Sequence, residues 1–254
     1  MTPLTRALWI VASIAVTALL VVAWQMAADY GGIPAVFLPG PNQAWAALVD
    51  GWRAGAIASV TLATVKRMIY GWALASLGGI VIGALIGSSR TARDYLGPTL
   101  ELVRPVPVSA FMPVVMAFLG FGGNMVLVVV AIGAVWPVLL ATVHGVSALE
   151  PRLVDVARML KLGRAQILWK IALPNSQADI LAGARLGLTV SLILTVVGEM
   201  LTSENGLGYY ILAQGRAFHS ANLFAGVILL GLIGLVSNLA LQAAEFRLLH
   251  WSRR

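Results

Sequence analysis

Side chains that could do covalent or metal chemistry are scarce in this sequence. It contains no Cys and only three His, and it has neither an HExxH metal motif nor a GxxxxGK[ST] phosphate loop. The lack of cysteine excludes disulfides, thiolate metal sites and cysteine nucleophiles. Ser176 and Ser191 have no His nearby in the sequence, and His144 follows a long apolar run. The sequence therefore predicts a protein that is not an enzyme and binds no cofactor of its own.

A second group of candidates consists of polar residues inside an apolar run. Ser191 and Thr195 are four residues apart, and Glu199 is four further on, so a helix would place all three on one face. Polar side chains inside membrane helices are the default candidates for a solute pathway. The hydroxyls can instead bond to carbonyls of their own helix, and Glu199 can cap its outer end. Both interpretations remain open at this level.

The composition indicates whether water or membrane lipid surrounds these residues. Of 254 residues, 59% are apolar and 11% are charged, and the mean hydropathy is +0.90. An ordinary soluble domain is roughly 25% charged, so this chain has too few polar groups to cover a soluble surface. The same values exclude a disordered chain, which needs low hydrophobicity and high charge. Membrane lipid is therefore the expected surrounding of most of the protein.

Six apolar runs are long enough, or nearly so, to cross a hydrocarbon core of about 30 Å. None alternates with the period of a barrel strand, so the predicted fold is an all-α integral membrane protein with six transmembrane helices. The third run is short and interrupted by prolines. The six predicted spans are Leu8–Ala27, about Met68–Ser88 in a helix that begins near Ile57, Val106–Phe121, Met125–Val146, about Ile180–Gly198 and Leu223–Ala244.

The basic residues predict the orientation. Twelve Lys and Arg fall in the segments 1–7, 89–105, 147–179 and 245–254, and only two fall in 28–56, 122–124 and 199–222. By the positive-inside rule, a multi-pass membrane protein with both termini cytoplasmic is expected. Because the cations are spread along one membrane face, they do not indicate a nucleic-acid site. Three cations fall within or beside spans and are expected to reach the interface by snorkelling, namely Lys66, Arg67 and Arg185.

Between the fourth and fifth spans, residues 149–174 read as a cytoplasmic helix–turn–helix. At 100° per residue, the apolar side chains of the first helix fall within about 100° of arc. Gly163 is expected to break this helix, and Pro174 is expected to end the second. Such a loop can shield the ends of its own bundle or dock on a cytoplasmic partner. The apolar stripe consists of Leu149, Leu153, Val156, Ala157 and Leu160.

Several segments, in this order and spacing, resemble one transporter family. Asp155–Leu160 followed by Gln166–Pro174 resembles the EAA loop of permease subunits of ATP-binding-cassette importers. Downstream, Gly198-Glu199-Met200-Leu201 and Gly206-Leu207-Gly208 resemble the nitrate/sulfonate/taurine branch, and Arg104-Pro105-Val106-Pro107 resembles the entry to its third helix. The resemblance covers roughly residues 57–250. It divides the chain into an N-terminal helix and extracytoplasmic segment, 1–56, and a permease core, 57–254.

The resemblance implies a mechanism. The loop would be a coupling helix held in a cleft of a separate ATPase subunit, which uses ATP and Mg²⁺, and the cycle would be alternating access. The other implied partners are a second permease copy or paralogue and an extracytoplasmic solute-binding protein. An aspartate at Ala157 is expected to abolish transport but leave membrane insertion intact. The implied coupling residues are Asp155, Ala157, Arg158, Lys161, Gly163 and Pro174, and the implied contacts with the binding protein are Glu204, Asn205 and Tyr209.

Two positions depart from the family pattern. Asp155 stands where the family usually has Glu, and Lys161 stands at the usual Gly, so Gly163 is expected to supply the turn. Two other function classes remain open. An ATP-independent channel or proton-coupled carrier would need a carboxylate well inside a span, and a membrane scaffold would move no solute. The glycines of the second span, Gly78, Gly79, Gly83 and Gly87, are expected to allow close helix packing within the bundle or at a subunit interface.

Overall fold

The computed structural model describes residues 3–103 and 105–248, and in these residues the chain is helical with no β-strand. This confirms the predicted all-α class. In chain order the α-helices are α1 (Pro3–Tyr30), α2 (Pro41–Arg53), α3 (Ala56–Ser88), α4 (Arg90–Val103), α5 (Met112–Leu119), α6 (Gly123–Ser147), α7 (Pro151–Met159), α8 (Arg164–Ile167), α9 (Leu173–Asn175), α10 (Gln177–Thr202), α11 (Leu207–Arg216) and α12 (Ser220–Leu248).

Five of these helices are long and apolar enough to cross a membrane: α1, α3, α6, α10 and α12. The predicted third span, Val106–Phe121, is wrong as a continuous helix. It consists of a 3-10 turn, Val108–Phe111, followed by the eight-residue α5, and this part is bent by 83° from α4. Prolines at the start of the segment remove backbone donors and prevent one straight helix. A count of six holds only if this bent pair is one broken span.

The centre of the bundle is formed by α3, α6 and α10. A β-carbon on Gly79 would lie 2.9 Å from Cβ of Val138, and one on Gly83 would lie 2.7 Å from the carbonyl oxygen of Leu139. Gly87 meets α6 in the same way, whereas Gly78 has open space beside it. Because the three close contacts are all with α6, these glycines serve packing within the bundle rather than a subunit interface.

Two short helices lie in segments that the predicted spans leave as connections, at the end of the bundle where α10 ends and α12 begins. Following the predicted orientation, we call this the outer end, and we call the opposite end, with residues 149–174, the cytoplasmic end. α2 and α11 pack on the beginnings of α3 and α12 through a buried apolar cluster. By contrast, α1 has no buried residue in its candidate span, and it contacts the bundle near its outer end, where the rings of Trp24 and Phe224 lie 5.5 Å apart. The buried cluster consists of Leu48, Ile57, Leu207, Ala225 and Leu229.

Candidate functional site

A buried carboxylate organises the outer end of the bundle. Glu199, in the last turn of α10, is fully buried. Its Oε1 accepts a hydrogen bond from Nη1 of Arg67 at 2.6 Å, and its Oε2 accepts from the hydroxyl of Thr64 at 2.9 Å and from the backbone N–H of Gly208 at 3.0 Å. A buried charge needs partners of this kind to offset its lost hydration. Glu199 thus joins α3, α10 and the first turn of α11.

Arg67 serves two carboxylates at once. Its Nη2 donates to Glu204 at 3.0 Å, and its Nη1 donates to the carbonyl of Asn205 at 2.9 Å in addition to Glu199. The guanidinium side chain is 18% exposed. Arg67 therefore has two charged partners within the chain, which the snorkelling prediction does not include.

Both glycines of the Gly-Leu-Gly segment lie in close contact with α10. A β-carbon on Gly206 would overlap the carboxyl group of Glu199, and one on Gly208 would overlap the backbone carbonyl oxygen of Val196 and lie 2.9 Å from Cβ of Glu199. The N–H of Leu207, between them, donates to Thr64 Oγ1 at 2.8 Å. The first turn of α11 therefore rests directly on a negative charge, which also favours a helix N-terminus electrostatically.

The three predicted pathway residues share one face of α10, as their spacing indicated, but that face is packed. Ser191, Thr195 and Glu199 are all fully buried within the chain. The Ser191 hydroxyl bonds to the carbonyls of Gly187 and Leu188, and Thr195 Oγ1 has no hydrogen-bond partner. None of the three borders an opening in this conformation, so we assign this face to the core of the chain.

The predicted contacts with a binding protein divide into two kinds. The Glu204 side chain turns inward to Arg67 and lies against the N-terminus of α6 at Gly122 and Gly123. Asn205 and Tyr209 remain exposed on the outer surface. Sequence reasoning missed the roles of Thr64 and Arg67, although an arginine in an apolar helix is itself a signal of a buried partner.

On the cytoplasmic side, the turn after α7 differs from the expected one. Lys161, at the position of the family's glycine, has φ = 53°, and the N–H of Leu162 donates to the carbonyl of Ala157 at 3.0 Å. This is the closure of a helix that ends with a left-handed residue. Gly163 has φ = −70° and instead begins α8, where its N–H donates to Oε1 of Gln166 at 3.0 Å. The expectation that Gly163 supplies the turn is therefore wrong.

Ala157 occupies a different place from its predicted one. It is fully buried within the chain, so it does not lie on the outer surface of α7, and an aspartate there would disturb the fold of the chain as well as any docking. Arg158 belongs to α7, but its side chain lies outside the described part of the structure. We define the loop's apolar surface as the exposed side chains of Leu153, Val156, Met159 and Leu160.

The second half of the loop also continues further than predicted. Pro174 does not end a helix, because a π-helical turn, Leu168–Ala172, runs into α9, and the chain bends only at Ser176 before α10 begins. The Ser176 hydroxyl bonds to the carbonyl of Ala172 at 2.6 Å. The loop is thus joined to α10 by nearly continuous helix.

A second ion pair lies nearer the cytoplasmic end. Nη2 of Arg185, two turns into α10, pairs with Oε2 of Glu245 in α12. The Arg185 side chain is 33% exposed and the Glu245 side chain is 27% exposed, so Arg185 has a charged partner within the chain, which the snorkelling prediction does not include. Among residues 3–103 and 105–248, no group of three His, Asp or Glu side chains could hold a metal ion.

Comparison with known proteins assigns these features to one family. The family described as binding-protein-dependent transport system inner membrane component matches residues 79–250. A taurine transport system permease protein of Escherichia coli strain K12 is 30% identical over 98% of this chain and 92% of its own length. A putative aliphatic sulfonates transport permease protein of Bacillus subtilis strain 168 is 30% identical over 92% of this chain and 85% of its own.

A solved structure is similar to the fold. The crystal structure of an amino acid ABC transporter with histidines contains a chain that superposes with a TM-score of 0.61 at 18% sequence identity. The match covers 82% of this chain and 97% of the other. The helical arrangement described above is therefore shared with a chain of that ABC transporter.

Proposed function

Because the chain belongs to the family of inner membrane components of binding-protein-dependent transport systems, and is a permease subunit of an ATP-binding-cassette importer, we propose the following assembly. Two permease subunits, this chain with a second copy or a paralogue, form the membrane pathway. A separate ATPase subunit binds ATP and Mg²⁺ and docks on the loop 149–174. An extracytoplasmic solute-binding protein delivers a small anion of the sulfonate, taurine or nitrate class, which moves inward by alternating access.

The single observation that carries ATPase docking is the loop's apolar surface. Met159 is 77% exposed and Leu160 is 67% exposed, next to each other at the end of α7. Large apolar side chains grouped in this way mark protein or membrane contacts. The exposed cations Lys161 and Arg164 follow directly along the chain. Since the sequence has no phosphate loop, the energy of ATP has to reach the chain through a surface of this kind.

On the outer side, Asn205 and Tyr209 support contact with a binding protein. Asn205 precedes α11 and its backbone carbonyl accepts from Arg67, while Tyr209 lies in the first turn of α11, where the N–H of Gly208 donates to Glu199, so both are presented in a fixed position. The solute pathway lies elsewhere than the buried face of α10. We place it between this chain and the second permease.

Both termini are placed on the cytoplasmic side. The support is the distribution of Lys and Arg between the loops. Because the chain has no native Cys, single cysteines give a clean test. Trp169→Cys and Ser203→Cys are exposed positions at the two ends of the bundle. A membrane-impermeant maleimide added to intact cells is expected to label Ser203→Cys alone, and labelling of Trp169→Cys alone would contradict the orientation.

The decisive experiment changes the loop's apolar surface without changing the core. Met159→Asp is expected to leave membrane insertion and thermal stability near wild type, to lower copurification of the ATPase subunit strongly, and to abolish ATP-dependent taurine uptake in proteoliposomes that also contain the binding protein. Thr91→Asp is the matched control, since it adds the same carboxylate at an exposed position of α4. Undiminished uptake by Met159→Asp would remove the loop from coupling.

Uptake that does not depend on ATP would instead support the alternative of a channel or proton-coupled carrier. The family and its named relatives favour the ATP-driven importer. The transported solute is identified separately, by measuring which of taurine, other sulfonates and nitrate binds to the secreted binding protein.

A further inference from the structure

Lys161 has a backbone conformation that its side chain makes unfavourable. Within residues 3–103 and 105–248, only Lys161, Ser203 and Phe218 have positive φ without being glycine. Lys161 follows α7 at the position where a left-handed residue closes the helix, and glycine is the usual residue there because a β-carbon is strained. The chain therefore keeps a lysine where glycine would fold more easily.

Within the described residues, the Lys161 side chain makes no hydrogen bond or ion pair that would offset this strain. Lys161 is exposed, and the ion pairs described in this loop do not include it. Strained residues persist where the surrounding structure or a function requires them. Because Lys161 is exposed and follows the exposed Met159 and Leu160 in the sequence, its ammonium group is accessible to a partner that covers those two side chains.

The charges around Lys161 indicate what kind of surface it meets. Segment 149–174 carries five basic residues and two acidic ones. Both acidic residues, Glu150 and Asp155, lie at or in α7 itself, beside the basic Arg152 and Arg158 in the sequence, so this short helix carries both signs of charge. A protein surface with an apolar centre and charges of specific sign at its rim accommodates such a mixed helix.

We propose that the ammonium group of Lys161 pairs with an acidic side chain at the rim of the ATPase cleft, next to the apolar contact of Met159 and Leu160. This inference rests on the proposed function and adds a specificity determinant to it. Lys161 would then select ATPase subunits that have a carboxylate at that point of the rim, and a permease with glycine there would lack this selection.

The test measures binding of the copurifying ATPase subunit to the permease in nanodiscs, with salt concentration and lipid charge varied. Lys161→Gly relieves the strain and removes the charge, whereas Lys161→Arg retains the charge. Lys170→Gln is the matched control, because it removes one exposed positive charge from the same loop. Thermal unfolding of each permease without ATPase separates folding from docking.

We expect Lys161→Gly to unfold at or above the wild-type temperature but to bind the ATPase about tenfold more weakly at low salt, with a shallower salt dependence. Lys161→Arg and Lys170→Gln are expected to bind within about twofold of wild type, on the same affinity scale. Wild-type affinity and salt dependence in Lys161→Gly would overturn the inference. An effect confined to nanodiscs with anionic lipid would also overturn it, because Lys161 would then contact headgroups. Failure of the wild-type chain to bind any ATPase would instead contradict the proposed function.

Discussion

The two ends of the bundle are built in opposite ways. At the outer end, Glu199 is fully buried and bonded to Arg67, Thr64 and Gly208. At the cytoplasmic end, the loop exposes Met159 and Leu160, and Lys161 is strained. The outer end is thus satisfied within the chain, whereas the cytoplasmic loop has apolar surface that only another molecule can cover.

This difference separates residues that hold other parts of the chain in position from residues that are available to contact another molecule. Substitutions in the outer network act on the folded state of the permease itself, since they break bonds within the chain. Substitutions on the loop's apolar surface act on assembly, because the chain alone makes little use of those side chains. The predictions below test this separation, beginning with the largest expected effect.

Replacing Glu199 with Ala is expected to destabilise the permease by about 3–5 kcal/mol, because it leaves the positive charge of Arg67 partly buried with one remaining carboxylate. The check is thermal unfolding of the purified protein, together with its yield in membranes. Glu204→Gln is the matched control at the more exposed partner of Arg67 and is expected to cost less. Equal losses in the two variants would show that burial does not distinguish the two carboxylates.

Replacing Gly206 with Ala is expected to cost about 1–3 kcal/mol, the usual effect of inserting a methyl group into packed space. The reason is steric, since the new β-carbon would overlap the carboxyl group of Glu199. Gly97→Ala in α4 is the control, because no atom within 4 Å opposes a β-carbon there. If both variants unfold at the wild-type temperature, α11 does not rest on Glu199 as described.

Replacing Arg185 with Gln tests whether an ion pair nearer the cytoplasmic end contributes as much stability as the ion pairs of the outer end. The pair with Glu245 joins α10 to α12, but both side chains are about one-third exposed, so we expect a loss of about 1 kcal/mol. The Arg185→Glu and Glu245→Arg double variant, which reverses the pair, is expected to recover most of the loss seen in either single variant. Additive losses in a double-mutant cycle would show that the two charges do not interact.

Replacing Lys161 with Gly is expected to raise the unfolding free energy of the isolated permease by about 0.5–1 kcal/mol, because glycine adopts positive φ without β-carbon strain. Unfolding by denaturant measures this gain. Gly163→Ala is a comparison within the same loop, where φ is −70° and needs no glycine. Destabilisation by Lys161→Gly would contradict the strained turn.

Replacing Arg152 with Gln is expected to change neither stability nor fold measurably. Its side chain is 91% exposed and lies 3.8 Å from Glu150, and such surface pairs contribute little. The melting temperature of the purified permease is the measurement. A fall of several degrees would mean that the cytoplasmic loop contributes more to the permease's own fold than its exposure indicates.

The sequence predicts those parts of the molecule that depend on local pattern. Long apolar runs predict the five long helices, and the amphipathic stripe predicts α7, because both arise from residues close together in the chain. The spacing of the glycines of α3 predicts close packing within the bundle or at a subunit interface, and three of the four pack on α6. The fold is confirmed by the comparison with a solved ABC transporter.

The network around Glu199 could not be predicted, because Arg67 and Glu199 are 132 residues apart and neither local segment indicates a contact with the other. The burial of Ala157 was missed for a related reason. Helical periodicity places Ala157 at the edge of the apolar stripe but does not show which side of the stripe is buried by other segments of the chain. The left-handed backbone conformation of Lys161 could not be predicted either, because lysine favours right-handed conformations.

The π turn Leu168–Ala172 sets the direction in which α7 projects from the bundle. It holds about one residue more per turn than an α-helix, and each residue turns a helix by about 100°. The length of this short segment therefore fixes the azimuth at which α7 projects from the axis of α10. A permease lacking one residue in this segment would present the side chains of α7 in a different direction. A partner protein that fits the present direction would then no longer align with them.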